Sequence, residues 1–81
     1  MEKLILVVYL NTSEMTPEKS IMEMERISHK VASAIEGENI IHFVIPSRET
    51  RVECINPRLV TENEYAKAKD TLKRINKILE P

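Results

Sequence analysis

The chain has 81 residues, of which 42% are hydrophobic and 31% are charged, and its formal net charge is −1. This composition excludes a disordered chain and predicts one ordered domain over residues 1–81. The single cysteine excludes an intrachain disulfide, and the single glycine excludes the phosphate-binding and hydrolase motifs that need two glycines or more.

The first predicted element is a strand over residues 3–10, an apolar run rich in β-branched side chains. A run of this kind is typical of a strand that is covered on both faces. It is far shorter than the roughly 20 apolar residues that cross a bilayer. We therefore expect no signal peptide and no membrane association, and we expect a cytoplasmic protein in which the lone thiol of Cys54 stays reduced.

A helix is predicted to follow a polar loop at residues 11–15. Thr16 supplies an N-cap hydroxyl, and Pro17 suits the first helical position. Gly37 lies just past the expected end of the helix, where a left-handed residue is common. Apolar residues recur between these signals at three- and four-residue steps, which is the spacing of an amphipathic helix. These residues are Ile21, Met24, Ile27, Val31, Ala34 and Ile35.

Two strands and a second helix are predicted in the rest of the chain. Residues 40–45 are apolar on both faces, and residues 51–55 alternate between polar and apolar side chains. The five residues between these strands suit a hairpin loop. Thr61 and Glu64 then form a capping box, and the helix that it begins keeps an apolar stripe as far as Leu79.

The order β-α-β-β-α predicts an α+β fold with an α/β-like first half, in which a mixed three-stranded sheet packs with two amphipathic helices. The first two strands must be parallel because a helix connects them. Two helices can cover such a sheet with one on each face, or with both on one face and a second copy of the chain on the other. The first strand has no proline or charge to protect an exposed edge, so we expect it to be central or paired with another chain. We therefore favour a homo-oligomer, and a dimer in particular.

Polar residues at the ends of the first two strands predict a ligand site. Parallel strands bring their carboxyl ends to one rim of the sheet, which is where ligands bind in open α/β folds. The first helix offers free N–H groups to an anion at this rim, and Arg48 after the second strand, with Arg51 across the predicted hairpin, would add bidentate contacts. The predicted site for a small anionic ligand or nucleotide consists of Asn11, Ser13, Thr16, Arg48 and Arg51. Ordinary loop capping with solvated arginines is the alternative interpretation.

A second hypothesis concerns His42 and Cys54. A hairpin that closes with Ile45 opposite Arg51 would place this histidine and cysteine opposite each other on one face. An imidazolium at that distance would activate the thiol as a nucleophile. The alternative is a packed cysteine beside a hydrogen-bonded histidine.

Three functions follow from these patterns, in order of preference. The first is a small non-enzymatic protein that self-associates and binds another macromolecule, because no residue pattern specific to a catalyst, a metal centre or a cofactor is present. The second is a binding protein for a small anionic ligand, and the third is a Cys/His-dependent enzyme. Nucleic acid is not an expected partner, since residues 1–40 hold four Lys/Arg against seven Asp/Glu, and residues 41–81 hold only eight against six.

Overall fold

The structure is a computed structural model of the chain and describes residues 4–55 and 62–80. It confirms the predicted β-α-β-β-α order and the mixed three-stranded sheet with two helices. The predicted capping box at Thr61 and Glu64 lies outside the described residues and side chains. The elements are β1 (Leu4–Asn11), α1 (Pro17–Ala34), β2 (Ile40–Ser47), β3 (Arg51–Cys54) and α2 (Glu62–Leu79).

The strand order is β2-β1-β3, so the most apolar strand is the central one, as predicted. β1 runs parallel to β2, in a register that pairs Leu4 with Ile40 and Asn11 with Ser47. β1 runs antiparallel to β3, with Tyr9 opposite Arg51. Both edges of the β1 backbone are therefore hydrogen-bonded to a neighbouring strand. β1 has no exposed edge, as we expect of a strand without proline or charge.

The predicted hairpin between β2 and β3 is wrong, because β3 pairs with β1 instead. Residues 48–50 carry the chain across the end of β1 from one edge of the sheet to the other. The crossing spans two strand spacings, or about 10 Å. The Cα–Cα steps from Ser47 to Arg51 are long enough to cover this distance. Thr50 fixes the connection in place, since its Oγ1 accepts a hydrogen bond from the Asn11 N–H at 3.0 Å. A spacing of five residues therefore fits this connection as well as it fits a hairpin.

Both helices lie on the same face of the sheet. One continuous core joins the even-numbered side chains of β1 to buried residues of α1 and α2. The helices are therefore placed as in the second of the two coverings considered above, and no described helix lies on the opposite face. The buried residues of this core are Leu4, Leu6, Val8, Leu10, Ile27, Val31, Ile35, Ala68 and Ile75.

The two ends of α1 follow the sequence signals closely. Thr16 is the N-cap, and its Oγ1 accepts a hydrogen bond from the Lys19 N–H at 3.2 Å. The helix ends at Ala34 with Ile35 as its C-cap. Gly37 has a φ of +81° in the turn that follows, so the one glycine of the chain occupies a left-handed position.

Arg74 of α2 closes the C-terminal end of α1, which has no basic residue in its last turn. Its Nη1 donates to the Ala34 carbonyl oxygen at 3.2 Å, and its Nη2 lies 3.2 Å from Glu38 Oε1. Nη2 also donates to the hydroxyl of Thr71 at 3.1 Å, a side chain that is fully buried between the helices. The guanidinium thus places positive charge at the negative end of the α1 dipole and joins the two helices.

The first prediction concerns two isoleucines of α1 that share one predicted apolar stripe. Ile27 is 2% exposed, whereas Ile21 is 59% exposed, so the structure excludes Ile21 from the core. We expect Ile27→Ala to lower the free energy of unfolding by about 2–5 kcal/mol because it leaves a cavity. Ile21→Ala should change it by only about 0.5 kcal/mol or less. Urea denaturation of both variants measures the difference, and equal losses would contradict this packing.

Candidate functional site

The face of the sheet opposite the helices is apolar over most of its area, and no described helix covers it. We call it the open face and define it by the odd-numbered residues of the three strands and the residue after β3. They are Ile5, Val7, Tyr9, Asn11, Ile41, Phe43, Ile45, Ser47, Arg51, Glu53 and Ile55.

The strand register arranges these side chains in rows across the sheet. Val7 lies between Phe43 of β2 and Glu53 of β3, and Tyr9 has Arg51 as its β3 neighbour. Two of the rows therefore run from a large apolar side chain on β2, through β1, to a charged side chain on β3, whereas the row of Ile5 runs from Ile41 to Ile55 and is apolar throughout. The open face thus has an apolar side on β2 and, on β3, a charged side that is followed by Ile55.

Large hydrophobic side chains on the open face are exposed to solvent. Phe43 and Ile55 are each 54% exposed, Ile41 is 38% exposed and Ile45 is 40% exposed. Hydrophobic residues scattered singly over a surface need no explanation, but a contiguous apolar patch marks an interaction site. Three of these four side chains follow one another along a single face of β2, so they form such a patch.

The charged side of the open face is organised around Arg51. Its guanidinium carbon lies 4.1 Å from the centre of the Tyr9 ring, which is a cation–π contact. Its Nη1 lies 3.1 Å from Glu53 Oε2, and its Nε lies 3.5 Å from Glu49 Oε1. The side chains are about half exposed, so these ion pairs add little to stability. They do hold the arginine against the sheet and neutralise its charge locally.

The rim predicted to bind an anion is present, because the parallel pair brings Asn11 beside Ser47. Its polar groups, however, largely bind one another. The Oδ1 of Asn11 accepts from the Ser13 N–H at 3.0 Å and from the Ser13 hydroxyl at 2.6 Å. The Thr16 hydroxyl caps α1 in the way described above. These contacts are those of an ordinary capped loop.

The two arginines of the predicted rim differ in their surroundings. Arg48 is exposed and makes no polar contact with the residues that the structure describes. Arg51 lies opposite Tyr9 on the open face, between two carboxylates. An anionic ligand would have to displace Glu49 and Glu53 to reach it, so the anion site stays a prediction that these contacts do not strengthen.

His42 and Cys54 do not meet, because Leu6 of the central strand lies between them in the register. Two strand spacings separate them by about 10 Å, so the predicted cross-strand pair is wrong. Cys54 instead packs against the core as a half-buried side chain. His42 lies between the sheet and α1, where its Nε2 is 3.0 Å from Ser28 Oγ. Burial lowers the pKa of His42, and the hydrogen bond to Ser28 partly opposes this.

Two further findings apply to the described part of the chain. Residues 4–55 and 62–80 contain no group of three or more His, Cys, Asp or Glu side chains that could hold a metal ion. Neither of the helices in those ranges has the length and apolar character needed to cross a membrane. Comparisons with protein-family models, with curated proteins and with solved structures found no match to this chain.

The second prediction concerns the protonation of His42. Its pKa in the folded protein lies below 6.5, the value for an unperturbed histidine, so the unfolded state binds more protons as the pH falls. The stability that neutral His42 contributes is complete above pH 6.5 and is lost as the pH falls towards the lowered pKa. We therefore expect the Tm to fall between about pH 7.5 and about pH 5.5.

His42→Gln should make that fall in Tm smaller because it removes the titrating group. His29→Gln is the matched control, since it makes the same substitution at an exposed position of α1. Thermal unfolding followed by circular dichroism across this pH range decides the matter. Identical pH profiles for the wild type and His42→Gln would show that this imidazole does not couple to folding.

Proposed function

We propose that this chain is a small non-enzymatic interaction protein that self-associates through its open face, and that the resulting dimer binds another macromolecule. The observation that carries the proposal is the line of Ile41, Phe43 and Ile45 along β2, all of which are exposed on one side of the sheet. On the opposite side of the same strand, Ile40 and Val44 are partly buried against the core. The contrast between the two sides of one sheet supports a missing partner for the open face.

The size of the open face fits a modest interface. β1 and β2 have eight residues each, and a strand of that length is about 26 Å long. Two sheets that pack face to face interdigitate their side chains at a spacing of about 10 Å. A three-stranded face of this length lies at the small end of specific interfaces, so we expect a dimer with a dissociation constant in the micromolar range.

A two-fold symmetric dimer would bury the exposed side chains of both open faces in one interface, because both copies use the same surface. Burying a large aliphatic or aromatic side chain completely is worth about 1.5–3 kcal/mol, and these side chains have roughly half of that still to gain. Four such side chains in each of two copies offset a substantial part of the cost of association, which is about 4–15 kcal/mol. These apolar side chains therefore supply the driving force.

The third prediction compares an aspartate introduced on the open face with one introduced on α1. Phe43→Asp should weaken dimerisation by about 100-fold or more, because it places an unpaired charge in the interface from both copies. Met22→Asp is the control, since Met22 is an exposed hydrophobic residue of α1 and lies off the sheet. We expect this variant to dimerise like the wild type. Sedimentation velocity over a concentration series measures both.

The wild-type mass decides whether the proposal stands. A single 9.4 kDa species at about 1 mM would contradict self-association, since even a weak specific dimer is populated there. Native mass spectrometry of the protein purified from its own host also tests the second candidate function. A retained anionic ligand whose binding is abolished by Arg48→Ala together with Arg51→Ala would favour the rim as the functional site.

A further inference from the structure

We infer that the partner on the open face is a second copy whose strands lie antiparallel over their own counterparts, so that Arg51 of each copy faces Glu53 of the other. This inference rests on the proposed function, because it requires self-association through the open face. It adds the orientation of the two copies and the residues that select it. Charge complementarity within the open face carries the argument.

Only two symmetric arrangements bring two such faces together with their strands aligned, as stacked sheets usually are. In one, the two-fold axis runs along the strands, so that β2 of each copy lies over β3 of the other and the facing strands are parallel. In the other, the axis runs across the strands. Each strand then lies over its own counterpart, and the facing strands are antiparallel.

The unequal sides of the open face distinguish these arrangements. An axis along the strands would press Phe43 and Ile45 of β2 onto Glu53 and Arg51, which are the charged side chains of β3. Covering charged groups with apolar side chains removes water from them without replacing it. An axis across the strands instead places the apolar side of one copy on the apolar side of the other. The charged sides then face each other at the margin of the interface.

The register shows how those charged sides would meet. Arg51 stands opposite Tyr9 and Glu53 stands opposite Val7, so the two charges lie one step above and one step below the level of Val8. A two-fold axis that crosses the strands at that level exchanges the two positions. Arg51 then lies over the partner's Glu53, and the symmetry repeats the contact.

The same axis also matches the apolar side of the face. Phe43 pairs with Val7, and Ile45 pairs with Tyr9, so these two levels are exchanged as well. Phe43 of each copy would therefore lie over the partner's Ile45. One axis thus matches the levels of Val7 and Tyr9 on both sides of the face, and it lays the level of Ile5, Ile41 and Ile55 over the partner's Asn11 and Ser47.

The charged contacts would select the orientation more than they would add affinity. Arg51 and Glu53 are about half exposed, and β3 is an edge strand, so the charges stay near water in the dimer. Charges at the margin of an interface mainly exclude wrong partners and wrong orientations. In the free chain the two side chains bind each other, and in the dimer each would gain an opposite charge from the facing copy.

The test mixes two variants that reverse one charge each. Arg51→Glu leaves two acidic side chains on β3, and Glu53→Arg leaves two basic ones. Both variants lose the contact within the chain, so they are matched in that respect. In the proposed arrangement each variant repels itself and attracts the other. Native mass spectrometry of an equimolar mixture should show roughly nine-tenths or more of the dimers as heterodimers, against about half for random pairing.

The controls separate failure of this inference from failure of the proposed function. A wild type that stays monomeric contradicts the proposed self-association itself. A wild-type dimer combined with random pairing of the two variants overturns the antiparallel arrangement while leaving self-association intact. Circular dichroism of each variant verifies that it is folded before mixing.

A conservative variant provides a second measurement that does not depend on reversed charges. Arg51→Lys keeps the positive charge and introduces an amine that a zero-length carbodiimide can join to a carboxylate. In a mixture of isotopically light and heavy chains, we expect a cross-link between position 51 of one chain and Glu53 of the other. The cross-link should disappear when Glu53→Gln is added to both chains. Cross-linking only within single chains would contradict the inference.

Discussion

The structure depends on one constraint, which is that β1 is apolar on both faces and its backbone needs hydrogen-bond partners along both edges. Its edges are satisfied by β2 and β3, and its even-numbered side chains are covered by the two helices. Nothing among the described residues covers the odd-numbered side in the same way. Three features build the covered side of the sheet: the parallel connection through α1, the crossing at residues 48–50, and the contact of Arg74 with α1. The open face is the side of the sheet that the two described helices leave uncovered.

Local signals predicted the elements well because each depends on a few neighbouring residues. Thr16 followed by Pro17 begins α1, and Gly37 takes the left-handed conformation in the turn after it. Strand order is different, because it depends on which distant segments pair. The spacing between β2 and β3 allowed a hairpin, and that wrong pairing led directly to the wrong contact of His42 with Cys54. Periodicity likewise shows which side of α1 faces inward but not how far along the helix the core extends, so Ile21 was misplaced.

The candidate site was only partly predictable for the same reason. Apolar residues on both faces of β1 and β2 favoured a sheet with one covering layer missing, yet the sequence does not determine which face lacks it. Arg51 was assigned to the rim because it stands near a turn. Strand alternation places it on the open face with Tyr9, and this follows from the pairing of β3 with β1. The sequence did not predict the contacts of Thr71 and Arg74. Neither a buried hydroxyl nor a guanidinium that binds the end of a helix produces a periodic pattern of residues.

The position of β1 has a consequence for how the protein is made. β1, which becomes the central strand, leaves the ribosome before the other four elements, while the segment that completes its second edge, β3, begins only at Arg51. While residues 12–50 are being made, the most apolar segment of this fold therefore has no complete set of strand neighbours. Such a segment is prone to aggregation until later residues arrive. Slow translation of residues 12–50 would prolong that exposure, whatever stability the finished fold attains.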